Sequence, residues 1–202
     1  AYALSGEGIY VMNSDGSGTP RQLTDGFDLS PHWSPDGTRI VFDRSQDQER
    51  DIFVVSASDG SILLQVTDDG TSFSPCWSPY GSRIVFARSS QSGSDIWVMN
   101  ADGSGAHNLL VSGDHPNWSP DGTRIAFDVS GGSIYVMNAD GTGATEARSD
   151  GYKPDWQRLP PAPVGGFMEP VNKLVVLAPW LAVIGVVGCI ATVAVVSKKR
   201  HA

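Results

Sequence analysis

Short apolar runs, broken by Gly-, Asp- and Ser-rich stretches, recur along residues 1–158. Arg39-Ile40-Val41-Phe42 is followed, after a polar loop, by Asp51-Ile52-Phe53-Val54-Val55. An Asp59-Gly60 turn then leads into Leu63-Leu64-Gln65-Val66-Thr67. β-Branched and aromatic residues fill these runs, and all fall short of the roughly 10–12 residues of a helix, so the pattern predicts short strands.

A longer period is superimposed on the strands. Trp33 in PHWSPDGTRIVF, Trp77 in PCWSPYGSRIVF, Trp118 in PNWSPDGTRIAF and Trp156 in PDWQRL lie 44, 41 and 38 residues apart. A second motif keeps the same phase: GIYVMNSDGSG from Gly8, DIFVVSASDGS from Asp51, DIWVMNADGSG from Asp95 and SIYVMNADGTG from Ser133. Each unit holds four strands and cannot bury both faces of its sheet alone, so the units are expected to pack side by side around an axis. The structural repeat consists of the four tryptophans and the turn residues Pro35, Gly37, Pro79, Gly81, Pro120 and Gly122. Proline pre-sets the turn and glycine suits its end. One tryptophan per unit, always at the same place, points to packing between units rather than to a stacking platform for a ligand.

The Trp-Ser-Pro-Asp-Gly turn followed by RIVF and DIYVMN-like runs resembles the WD40-like, or PD40, repeat family. That family includes the TolB propeller and the propeller domains of tricorn-type and prolyl-oligopeptidase-type proteases. The resemblance covers residues 1–158 and implies an all-β propeller of about four four-stranded blades. Tyr80 replaces the turn aspartate in one copy, and Gln157-Arg158 replaces Ser-Pro in the last. Ala1–Leu4 aligns with Ile125–Asp128, so the chain opens on the second strand of a blade and ends its repeats on a first strand. The terminal strand could pair with the opening one and close a four-bladed ring. The larger blade number usual in the family favours an N-terminally incomplete or processed chain instead.

Beyond the repeats, Pro160-Pro161-Ala162-Pro163-Val164-Gly165-Gly166 reads as an extended spacer within a linker of residues 159–172. Leu174 to Val196 then carries no charge and is followed by Lys198-Lys199-Arg200. This predicts a membrane helix over residues 173–197 and a basic cytoplasmic tail over 198–202. The propeller would then face outward, extracellular or periplasmic, on a single-pass anchor. Ala178, Ala182, Gly185, Cys189 and Thr192 form a small-residue stripe that would suit a transmembrane-helix dimer.

Charge excludes one class of partner. Residues 1–158 hold 10 of the 14 Lys/Arg and 21 of the 22 Asp/Glu, a net of −11. Such a surface is wrong for nucleic acid. Catalytic and metal motifs are missing: His32, His107, His115 and His201 form no ligand pair, and neither a Gly-x-Ser-x-Gly elbow nor a phosphate loop occurs. No cofactor is expected, and the Asn-Ala-Asp-Gly turns at 100–105 and 138–143 read as hairpin turns rather than calcium loops. Functional residues are sought where the repeats differ. His32, Cys76, Asn117 and Asp155, each just before its tryptophan, are candidates for the channel or the blade interfaces, and Asp28, His115 and Lys153 for its rim. TolB-like propellers are partner-binding platforms, so the resemblance implies a non-enzymatic module for a protein, peptide or envelope component. The alternatives are a piece of a larger propeller-bearing protease or sensor, and a hydrolase or lyase working in the channel.

Overall fold

The computed structural model describes residues 1–157 and 173–177. The described chain is all β, and among these residues no helix is long and apolar enough to cross a membrane. Its strands are β1 (Tyr2–Leu4), β2 (Gly8–Val11) and β3 (Arg21–Gln22); β4 (Asp28–Trp33), β5 (Arg39–Gln46), β6 (Glu49–Ser56) and β7 (Ile62–Gln65); β8 (Ser72–Trp77), β9 (Arg83–Ser90), β10 (Gly93–Asn100) and β11 (His107–Ser112); β12 (Asp114–Trp118), β13 (Arg124–Val129), β14 (Ser133–Asn138) and β15 (Thr145–Arg148); then β16 (Tyr152–Gln157) and β17 (Lys173–Leu177). Each group is an antiparallel meander with its strands in chain order. They form the four blades of a propeller, followed by the β16–β17 pair.

Adjacent blades share their cores. Ile9 and Leu23 of the first blade pack with Ile40, Phe42 and Val55 of the second. Val41, Ile52 and Val54 of the second pack with Trp77, Ile84, Phe86 and Met99 of the third. Cys76, Val85, Ile96, Val98 and Leu109 of the third pack with Trp118, Ile125, Phe127 and Met137 of the fourth. Both faces of a middle strand such as Ile40-Val41-Phe42 are therefore buried, which accounts for its unbroken apolar run. The repeat tryptophans sit at these seams. Arg39 lies over Trp77, Arg83 over Trp118 and Arg124 over Trp156, at 4.8, 5.4 and 5.3 Å from the ring centres. Trp33, against the three-stranded first blade, is 37% exposed, whereas Trp77, Trp118 and Trp156 are 2–6% exposed.

The Ser-Pro-Asp-Gly turn is a small polar machine. Asp36 accepts from Ser34 Oγ at 2.6 Å, Thr38 N at 3.0 Å and Thr38 Oγ1 at 2.8 Å. Asp121 repeats the set with Ser119 and Thr123. The Ser34 hydroxyl first, then the two Thr38 donors, hold the Asp36 carboxyl at a pKa of about 2. Tyr80, without a carboxylate, reaches instead to the Asp121 carbonyl at 3.2 Å.

Two expectations change. The loop expected between Phe42 and Asp51 is strand on both sides of a two-residue turn, Asp47-Gln48, with φ of 51° and 72°. Both values have the sign that a tight hairpin matching strand twist requires. Lys173–Leu177, expected to begin the membrane helix, is a strand antiparallel to β16. An inner strand needs a backbone partner along its free edge, and β-branched Val175 and Val176 suit that role. β16 thus takes β17, rather than β1, as its hydrogen-bonded neighbour. The linker over 159–172, the expected helix from 178 onward, its small-residue stripe and the 198–202 tail lie outside the described residues.

Candidate functional site

The innermost strands β4, β8, β12 and β16 each run through one repeated sequence toward their ends, X-Pro-X-Trp: Ser30-Pro31-His32-Trp33, Ser74-Pro75-Cys76-Trp77, His115-Pro116-Asn117-Trp118 and Lys153-Pro154-Asp155-Trp156. Every copy breaks its ladder there. Register shifts fall between Leu29 and His32, Phe73 and Cys76, Asp114 and Asn117, and Tyr152 and Asp155. Proline supplies no N–H and disfavours the right-handed helical region for the residue before it. Ser30, Ser74, His115 and Lys153 take a left-handed backbone, with φ of 51°, 51°, 45° and 50°, rather than the extended one that proline alone favours. A non-glycine residue held there costs about 1–2 kcal/mol, so these bulges persist only because the surroundings fix them.

One such restraint is visible. Asp43 on β5, fully buried, accepts the Ser74 N–H at 3.0 Å and is ion-paired with Arg50. It thereby ties one blade to the bulge of the next. The corresponding position on β13 is Asp128, whose Oδ1 lies 2.9 Å from His115 Nδ1. On β9 it is Ala87.

The four tripeptides Ser30–His32, Ser74–Cys76, His115–Asn117 and Lys153–Asp155 line a single cavity of about 270 Å³ between the inner strands. It has two tiers. The residues after proline join one another: His32 Nε2 lies 3.5 Å from Cys76 Sγ, Cys76 Sγ 3.5 Å from Asn117 Oδ1, and Asn117 Nδ2 3.0 Å from Asp155 Oδ1. His32 Nδ1 faces the Trp77 N–H at 3.3 Å and can only accept there, so its proton sits on Nε2 and points to sulfur. The thiol lies 3.5 Å from both the Trp77 carbonyl oxygen and Asn117 Oδ1, and the Asn117 amide donates to Asp155. The Trp156 N–H and indole N–H add bonds to Asp155 and to the Asn117 carbonyl. The residues before proline behave differently. Among the described residues, the Ser30 and Ser74 hydroxyls, His115 Nε2 and Lys153 Nζ make no hydrogen bond.

Cys76, His32 and Asn117 are the residue types of a thiol nucleophile with its base and orienting amide. The wiring runs the wrong way for that chemistry: a base must take the thiol proton, whereas His32 already carries its proton on the nitrogen beside sulfur. Among the described residues no group of three or more His, Cys, Asp or Glu side chains could hold a metal ion.

Of the residues picked from the sequence, His32, Cys76, His115, Asn117, Lys153 and Asp155 all line this cavity. Asp28 does not. It is fully buried at the start of β4 and bound through both oxygens by Arg44, at 2.6 and 2.8 Å, so it is a structural carboxylate rather than a rim group. Hydrogen bonding to Asp28 raises the Arg44 pKa further. Sequence reasoning missed Ser30, Ser74 and the four prolines of the lining, although proline two residues before every tryptophan marks them. The aspartates of the Asn-Ala-Asp-Gly turns are occupied locally: Asp102 accepts from Ser104, and Asp140 from Thr142.

Four-stranded antiparallel blades sharing their cores around a polar cavity define a β-propeller, and its type is TolB-like. The chain is similar to the structure of putative TolB from Agrobacterium tumefaciens, with 28% identity over 69% of this chain and 55% of that one, at a TM-score of 0.63. It is also similar to TolB from Acinetobacter baumannii, with 20% identity over 72% of this chain and 39% of that one, at 0.60. A calcium-binding protein, regucalcin, from Agrobacterium tumefaciens shares the fold at 14% identity and a TM-score of 0.56, over 74% of this chain and 57% of that one. The chain thus spans about half, or less, of the TolB structures it resembles. No family model and no curated protein sequence matches it.

Proposed function

We propose that this chain is a non-enzymatic binding propeller that faces outward from a membrane and takes a segment of a protein or peptide into its axial cavity. The carrying observation is the two-tier lining. The polar groups after the prolines bond one another, whereas before the prolines the Ser30 and Ser74 hydroxyls, His115 Nε2 and Lys153 Nζ make no hydrogen bond among the described residues. Buried polar networks that satisfy themselves are structural, whereas convergent unused donors and acceptors in a concavity are how ligands are oriented. The His32 proton held on the nitrogen beside Cys76 supports binding over catalysis, and similarity to TolB supports a binding-type propeller outside the cytoplasm. The anchor rests on sequence. Even with Lys173–Leu177 in a strand, residues 178–196 carry no charge and end at Lys198-Lys199-Arg200, about the length that spans a hydrocarbon core.

The test is selection of random 12-residue peptides on the full chain in detergent micelles. Peptides should be enriched, and should be lost when His115→Ala and Lys153→Ala are combined. Enrichment of none, or enrichment untouched by the double change, would remove the site from this cavity. Asp28 is left intact in this test, because changing it would damage the fold rather than the site.

A further inference from the structure

The upper tier also specifies what kind of group it reads. Lys153 is the sole lysine of residues 1–157. The arginines of that region are committed elsewhere. Arg44, Arg50, Arg88 and Arg148 are paired with Asp28, Asp43, Asp69 and Asp150. Arg39, Arg83 and Arg124 cover tryptophans, and Arg21 bonds the Ala57 carbonyl at 2.7 Å. In a strongly acidic propeller, the cation that has no partner among the described residues stands in the cavity wall, on a backbone pinned before Pro154. Its neighbour in the ring is His115. Its Nδ1 lies 2.9 Å from Asp128 Oδ1, which leaves Nε2 as the ring nitrogen open to a ligand.

We infer that this ring recognises one carboxylate of a peptide, with Lys153 Nζ as its counter-charge and His115 Nε2 as a second hydrogen-bonding group beside it. The Ser30 and Ser74 hydroxyls, on the opposite blades, can donate or accept and set no charge requirement. A run of acidic residues does not fit. Asp155 lies exposed in the same lining, and the surrounding surface carries a large negative excess, so a second carboxylate would be repelled. The fitting ligand is a lone carboxylate in a neutral context, either the C-terminus or a single Glu or Asp side chain. This inference rests on the peptide-binding reading above.

Four pools of otherwise neutral 12-residue peptides separate the cases: one internal Glu with an amidated end, no Glu with a free C-terminus, no carboxylate at all, and one Lys with an amidated end. Binding to the full chain by the first pool, the second, or both supports the inference and tells a side chain from a terminus. Lys153→Gln should weaken that binding on the order of tenfold, the value of a hydrogen bond to a charged group, and Lys153→Arg should keep it. Equal binding of the carboxylate-free or lysine pool, or indifference to Lys153→Gln, overturns the inference while leaving peptide binding in place. Failure of all four pools overturns the peptide-binding reading itself.

Discussion

Replacing Asp43 with alanine separates the bulge from the blade that restrains it. The carboxylate is fully buried, accepts the Ser74 N–H at 3.0 Å and takes the Arg50 Nε at 3.1 Å. Alanine fits the site, since Ala87 occupies the same place in the next blade and is itself fully buried. The cost is therefore polar rather than steric. Ser74, 7% exposed, loses the acceptor for its amide, worth about 1–3 kcal/mol. Arg50 has a third of its side chain in solvent and keeps its place over the Phe73 ring, so losing the ion pair costs about 1 kcal/mol or less. The sum is about 3 kcal/mol, or a fall in Tm of roughly 6–12 °C for a chain of this size. Urea unfolding followed by tryptophan fluorescence reads it directly as a lower midpoint at unchanged slope. Asp43→Asn keeps an acceptor for Ser74 and should cost only about 1 kcal/mol. If asparagine proves as damaging as alanine, charge rather than the amide bond holds the seam, and the reasoning fails.

Two further outcomes follow from the turns. Asp36 has a folded pKa of about 2 against an ordinary 3.8, so its stabilising effect is complete above about pH 4 and disappears as the pH falls toward 2. Asp15, Asp59, Asp102 and Asp140 are lowered in the same direction by amide and hydroxyl donors two residues along. The stability gap between parent and Asp36→Ala should close over that interval, and a gap that stays constant from pH 4 to 2 would contradict the assignment. Gly60 and Gly37 both have positive φ, 77° and 69°, but a Cβ on Gly60 would stand 2.1 Å from the Leu23 carbonyl oxygen while one on Gly37 meets open space. Gly37→Ala should cost about 1 kcal/mol and Gly60→Ala about 3 or more, and comparable losses in thermal unfolding would refute the contact.

The blades were legible because they obey a strict period. Trp33, Trp77, Trp118 and Trp156 fix the phase, and runs such as Ile40-Val41-Phe42 are apolar on every residue because a blade buries both faces. Much of the cavity was legible too, since the residue before each tryptophan varies while its neighbours do not. Asp28 was misplaced because an exposed-looking acidic loop residue and a buried, arginine-clamped one are identical in sequence; only the reach of Arg44 from the adjacent strand distinguishes them. Ser30 and Ser74 were passed over for the opposite reason. Small hydroxyl residues in a loop carry no signal until the left-handed backbone before proline turns them toward the axis. Lys173–Leu177 was drawn into the membrane segment because a β-branched apolar run looks the same beside a sheet edge as beside lipid.

The two tiers also explain how a repeat fold keeps its structure while varying its site. Restraint of each bulge comes from backbone and floor: the Ser74 amide is held by Asp43, and His32, Cys76, Asn117 and Asp155 are held by one another. Of the side chains before the prolines, Ser30, Ser74 and Lys153 carry none of that load, whereas His115 is bonded to Asp128. Serine, serine, histidine and lysine can stand at four equivalent backbone positions with nearly the same φ, from 45° to 51°. Conversely, the floor cannot vary one residue at a time. Exchanging Asn117 would remove one acceptor from the thiol and a donor from Asp155 together, so a change there is felt on both neighbouring blades. Residue identity is free to change at the positions before the prolines and is tied to folding at the positions after them.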